Sequence, residues 1–119
     1  EEAAIFECTC QQALRREPED RHAVCTNHAT LPSSAVPNAR SLKRYQRLEE
    51  LVRAQDWTNL NLPDGLIRIL ADDEVERRDA DFGTVYSVVV CPGTRMLWTT
   101  LSGYPAASQG NWQQIHWPL

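Results

Sequence analysis

The 119-residue sequence has no apolar run near the roughly 20 residues that an α-helical membrane span requires. It also lacks a basic excess: twelve Lys and Arg stand against sixteen Asp and Glu, giving a net charge of −4. Nucleic-acid binding calls for clustered positive charge. Here the bases are scattered, and the richest stretch, Arg40 to Arg53, also carries Glu49 and Glu50, as a solvated helix face does. Neither nucleic acid nor membrane is expected as a partner. There are no internal repeats and no low-complexity segments, and 42% hydrophobic with 24% charged residues is a globular balance. The opening Glu1 to Glu7 is acidic where a secretory leader would be basic. A cytoplasmic protein of one domain is the expectation, since the length is short for two. The first residue is not Met and an apolar stretch follows at once, which suggests missing upstream sequence.

Familiar catalytic signatures are absent as well. There is no Gly-x-Ser-x-Gly, no phosphate-binding glycine loop and no helix with paired histidines. His22, His28 and His116 stand in no catalytic context and read as strand or loop residues. Four cysteines, Cys8, Cys10, Cys25 and Cys91, are too sparse for a stapled scaffold and read as reduced thiols. Of these, Cys8, Cys10 and Cys91 are expected to be buried small hydrophobes. His22-x-x-Cys25-x-x-His28 with Cys8-x-Cys10 is an inventory able to hold zinc. Against it, Ala23-Val24-Cys25 reads as strand, and residues three apart on a strand point to opposite faces. No metal or other cofactor is expected.

What the chain does contain is segregated structure. Residues 3–8 form a short apolar run suited to a strand, and His22 to Thr26 reads as its hairpin partner, with a turn or loop over Arg15 to Arg21. Thr30 to Ala39 is a Pro/Ser/Asn loop. Ser41 is a good N-cap for a helix whose Leu42, Tyr45, Leu48, Leu51 and Val52 share a face, opposite Arg47, Glu50 and Arg53. Pro63 opens a second helix that buries Leu66, Ile67, Ile69 and Leu70 and fades into the charged run Asp72 to Asp81. Thr84 to Cys91 is rich in β-branched residues, Pro92 to Arg95 is a turn, and Met96 to Ser102 returns as strand. Gly103, Pro105 and Gly110 interrupt the tail before a last extended segment with Trp112, Ile115 and Trp117. The order predicts an α+β fold with antiparallel strands and two central helices.

One ordered set of segments carries more than fold. Cys25-Thr26-Asn27-His28-Ala29-Thr30 precedes Ser41-Leu42-Lys43-Arg44-Tyr45. Then follow Leu66 to Asp72, Thr84 to Val90, Arg95 to Trp98 and Gly103-Tyr104-Pro105, while Ala4 to Glu7 precedes them all. Together they resemble the C-terminal part of the acyl-coenzyme A:6-aminopenicillanic acid acyltransferase (isopenicillin N acyltransferase-like) family of N-terminal nucleophile hydrolases. The resemblance implies part of an αββα sandwich and an amide hydrolase or acyltransferase. Its nucleophile would be an N-terminal Cys released by autoproteolysis, with its own α-amino group as base. It implies that Asn27 donates to the oxyanion, that Arg44 braces the active centre, and that Ser41 hydrogen-bonds into the site. Arg40 competes for the arginine role, whereas Thr84 and Ser87 read as structural. The nucleophile and its Asp and Arg partners lie outside this stretch, and Cys25-Thr26 is too internal to replace them. The partners implied are an upstream segment or subunit carrying that Cys and a small-molecule amide or acyl substrate. This chain alone is expected to be inactive. The rival reading is a stand-alone α+β binding or interaction module, with Trp98, Trp112 and Trp117 as contact aromatics.

Overall fold

The computed structural model describes residues 4–8, 11–28 and 38–116. The chain falls into two compact units, Glu1–Ala54 and Gln55–Leu119. Among the described residues it is α+β, with two antiparallel sheets and three α-helices.

In the first unit, β1 (Ile5–Cys8) pairs with β2 (Ala13–Arg16), Ile5 opposite Arg16 and Cys8 opposite Ala13. This corrects the expected hairpin: the partner of β1 lies in the Ala-Leu-Arg-Arg segment, and residues 23–26 are irregular. Arg16 explains why so polar a strand holds. Its Nε donates to Glu7 Oε1 across the hairpin at 3.3 Å, and its Nη2 donates to the Val24 carbonyl at 2.6 Å. The guanidinium thereby ties an irregular segment to the sheet, and Val24, only 5% exposed, supplies the apolar burial. A tight turn, Glu19 to His22, precedes that segment and is closed by reciprocal backbone bonds of 2.8 and 2.9 Å.

Helix α1 (Ala39–Arg53) starts two residues before Ser41. Its N-cap is Asn38, whose side-chain oxygen accepts from the Arg40 amide at 2.9 Å. Ser41 is therefore not the cap; it lies within the first turn and is buried. The apolar face is inset accordingly. Tyr45, Leu48, Leu51 and Val52 are half-buried, while Leu42 is exposed.

The second unit is built on a meander in which β4 (Met96–Thr100) lies between β3 (Val88–Cys91) and β5 (Trp112–His116). A 3-10 turn over Pro92–Thr94 links β3 to β4, and Arg95 closes it in the left-handed region. The strand expected from Thr84 begins only at Val88, because the preceding polar groups bond elsewhere. Arg77 N donates to Thr84 Oγ1 at 3.1 Å, Ala106 N to the Thr84 carbonyl at 2.9 Å, and Ser87 N to Thr100 Oγ1 at 2.9 Å. Helix α2 (Asp64–Leu70) starts one residue later than expected, with Pro63 as its N-cap rather than its first residue, and Ile69 is buried. A third short helix, α3 (Ala106–Gln109), packs on α2 and was not anticipated from the glycine- and proline-broken tail. Gly103 makes its approach possible: with φ of 95°, an added Cβ would strike the Gln109 carbonyl.

Among the described residues, the core of this unit holds one charge. Glu76, 5% exposed, accepts from the amides of Ala107 at 2.6 Å and Ser108 at 3.2 Å, stapling α3 to the segment after α2. Its second oxygen lies 3.4 Å from Arg78 Nη2, which compensates the charge without a well-formed hydrogen bond.

Asp56 begins the same unit with an exposed turn. Its carboxylate accepts from the Asn59 side chain at 2.7 Å and from Thr58 N at 3.0 Å. The Asn59 bond chiefly, then the Thr58 amide, hold its carboxyl below the ordinary value. A folded-state pKa lowered in this way contributes stability above the unfolded pKa, and that contribution disappears as pH falls through the folded value. An NMR titration of the Asp56 carboxyl should therefore run to lower pH than free aspartate, and Asn59→Ala should move it back upward. An unshifted midpoint in the wild type would contradict this assignment.

Candidate functional site

Three sequence-selected residues, Asn27, Ser41 and Arg44, come together in the first unit. Residues 25–28 follow the Val24 anchor as an irregular strip beside β1, and the first turns of α1 face that strip. Arg44 Nη1 donates to Asn27 Oδ1 at 3.1 Å. Ser41 Oγ donates to Thr26 Oγ1 at 3.1 Å and stands 2.9 Å from His28 Nδ1. Thr26 Oγ1 in turn donates to the Ser41 carbonyl at 3.1 Å and lies 3.0 Å from His28 Nδ1. Arg40, the competing arginine, is exposed on the first turn, and Arg44, one turn later, is the one that reaches Asn27.

Thr26, Asn27 and His28 border a cleft of about 310 Å³ lined by β1 and by residues 25–28, and Ser41 and Arg44 hold them through the bonds just described. Glu7, Cys8, Cys25, Thr26, Asn27 and His28 contribute its polar and thiol groups. Cys8 and Cys25 are free and exposed, which corrects the expectation of a buried Cys8: on β1 the exposed positions are Phe6 and Cys8, and the half-buried ones Ile5 and Glu7. Cys91 is half-buried, and Cys10 lies outside the described residues. No group of three His, Cys, Asp or Glu gathers in metal-binding fashion among the described residues.

The Arg44–Asn27 bond has a chemical consequence. A carboxamide has one acceptor and two donor hydrogens. Arginine is donor-only, so its partner atom on Asn27 must be the oxygen, and the amide orientation is fixed. Asn27 is left with its Nδ2 hydrogens as the groups it offers to a ligand. One donor of this kind, aimed at a developing oxyanion in a water-excluded site, is worth about 2.7–4 kcal/mol of transition-state stabilisation. Asn27 is exposed here. In water the same bond nets far less, because it replaces one already made to solvent.

Tyr45 stands edge-on to His28, with ring centroids 5.5 Å apart. Its phenol is pushed above the usual range, first by burial and then by the charge of Glu49, with Arg16 opposing. Tyr45 is thus a neutral hydroxyl at working pH. Glu49 also accepts from Arg53 Nε at 3.0 Å and lies 3.8 Å from His22 Nε2. This network fixes the side of α1 that supports the cluster.

His28 and Thr26 are the functional candidates that residue-by-residue reading passed over. The visible signal was the unbroken Thr26-Asn27-His28 run, of which only the middle member was singled out. Among the rival contact aromatics, Trp98 and Trp112 are half-buried, Trp112 donates to the Ala107 carbonyl at 3.0 Å, and Trp117 lies outside the described residues. Comparison of the chain with protein-family models, curated proteins and solved structures finds no match in any of the three.

Proposed function

We propose that this chain is the C-terminal portion of an amide-bond hydrolase or acyltransferase of the N-terminal nucleophile type. Its Cys nucleophile lies outside this chain, and the chain provides the oxyanion side of the site. One observation carries the reading. Asn27, on the wall of one cleft, is bonded by Arg44, which orients its amide to donate, while Ser41 bonds the neighbouring wall residues Thr26 and His28; the three were chosen from separate motifs.

Two further features support it. Asn27 is exposed, so its donor gains catalytic value only when another segment covers the cleft and excludes water. In the second unit, Val88, Val90 and Ile115 leave one face of the β3–β4–β5 sheet 38–45% exposed, as half of a sandwich would. In this scheme the thiolate attacks the amide carbonyl, Asn27 holds the oxyanion, and water or an amine resolves the acyl-enzyme.

Intact mass spectrometry of the native preparation tests the proposal. The expected result is a second polypeptide that begins with Cys and gains one adduct on treatment with iodoacetamide. A lone, monodisperse chain would favour the stand-alone binding module. Amide cleavage at an enzymatic rate by the isolated chain would contradict the division of labour proposed here.

A further inference from the structure

The hydroxyl cluster around His28 determines where its imidazole carries a proton. Ser41 and Thr26 each have a single hydroxyl proton. That of Thr26 is committed to the Ser41 carbonyl, which can only accept. That of Ser41 is directed at Thr26 Oγ1 in the arrangement shown. Both oxygens nevertheless lie within 3.0 Å of His28 Nδ1. If Nδ1 bore a lone pair, one of the two hydroxyls would have to turn away from the acceptor it has here to supply a proton, and the other oxygen would still face Nδ1 lone pair to lone pair. If Nδ1 bears the proton, it donates to both oxygens as a three-centre bond, and every group in the cluster is satisfied.

We propose that His28 is held as its Nδ1–H tautomer and offers Nε2 as a proton-accepting group of the cleft. His28 lines the cleft beside Asn27, and Nε2 engages no other group among the described residues. The pair therefore presents one acceptor and one donor from adjacent residues. A neutral primary amide is the complementary ligand, because the N–H syn to its carbonyl lies on the same edge as the oxygen, the N–H going to Nε2 and the oxygen to Asn27 Nδ2. Ser41 and Thr26 act as positioning residues, fixing the tautomer through Nδ1.

A chemical role follows, and this part alone rests on the acyl-transfer reading. When water attacks the acyl-enzyme carbonyl, its oxygen bonds to the carbonyl carbon and the carbonyl π pair moves onto the oxygen facing Asn27. The water proton passes to Nε2, giving an imidazolium still anchored at Nδ1. Collapse of the intermediate re-forms the carbonyl and expels the enzyme thiolate, which takes that proton back. Atoms and charge balance with no further reactant.

Long-range proton–nitrogen NMR of the imidazole, recorded on the 119-residue chain above the histidine titration range, tests the tautomer. The expected spectrum shows a protonated Nδ1 and an unprotonated Nε2 for His28. Ser41→Ala combined with Thr26→Val should return the ring to a majority of Nε2–H, and the single replacements should give intermediate populations if the double variant fails to fold. A wild-type ring mainly in the Nε2–H form overturns the proposal. For the ligand class, acetamide is the probe. Its titration should move the Asn27 side-chain amide and His28 Nε2 signals together, and His28→Phe should weaken that response about three- to tenfold. Acetamide that moves neither signal overturns the donor–acceptor site. These measurements need no nucleophile. An active two-chain enzyme with His28 as Nε2–H would sink this inference alone, and an Nδ1–H ring in a chain with no Cys partner would sink only the earlier proposal.

Discussion

Glu76→Ala is expected to destabilise the Gln55–Leu119 unit by about 2–4 kcal/mol, the cost of leaving two amides of α3 without an acceptor. Ala107 is buried and its amide cannot turn to water; Ser108 is half-buried. For a unit of this size the loss corresponds to a fall in Tm on the order of 10–25 °C. Glu76→Gln separates bond from charge. The glutamine oxygen still accepts from both amides, but the bonds lose their charge assistance, so about half of the destabilisation should remain. Arg78 does not fail with the glutamate, because it also donates to the Ala71 carbonyl at 3.0 Å and pairs with Asp73 at 2.6 Å. Thermal and urea melts followed by circular dichroism decide the matter. Equal losses in the two variants would show that charge, not hydrogen-bond count, holds α3.

Asn27→Ala is expected to lower amide turnover by about 10²–10³-fold in the complete enzyme proposed above, with KM little changed. Substrate binding draws on the whole cleft, whereas the Asn27 donor matters most when the carbonyl oxygen becomes an anion. Its position is set from outside the segment by Arg44 Nη1, so Arg44→Gln should reproduce part of the loss. The two replacements together should cost much less than the product of the two single effects, because the arginine acts through the amide. Asn27 is exposed, so the replacement should leave the melting temperature near the wild-type value. A kcat within twofold of wild type, measured on the assembled protein, would remove Asn27 from the mechanism.

The helices were more legible than the hairpin. Helix α1 announced itself because Tyr45, Leu48 and Val52 repeat at helical spacing, and only its start was misplaced. Asn38 sat in a run of turn formers, and Ser41 two residues inside the helix is an equally good capping residue by chemistry. The hairpin failed for a different reason. Ala23-Val24-Cys25 has the composition of a strand, and Ala13-Leu14-Arg15-Arg16 does not. Yet the nearer segment closes the smaller loop onto β1, and Arg16 pays for its place through Glu7 and Val24. Such long-range bonds leave no periodic trace. Glu76 was hidden in the same way inside a charged run that looked uniformly solvated. In the candidate site, Asn27, Arg44 and Ser41 were singled out because a family resemblance gave each an expected role, and the structure shows Arg44 bonded to Asn27 and Ser41 bonded to Thr26. His28 was not singled out, since its contacts arise from two hydroxyls brought to one nitrogen from positions 26 and 41.

Cys8 and Cys25, both free and solvent-exposed, stand on the wall of the same cleft. Among the described residues there are thus two exposed native attachment points for environment-sensitive dyes or spin labels in the lining that also holds Asn27 and His28. Cys91, half-buried at the end of β3 in the other unit, serves as an internal reference for labelling time courses. Occupancy of the cleft becomes readable without engineering a reporter. Air oxidation during purification will register there before it reaches Cys91.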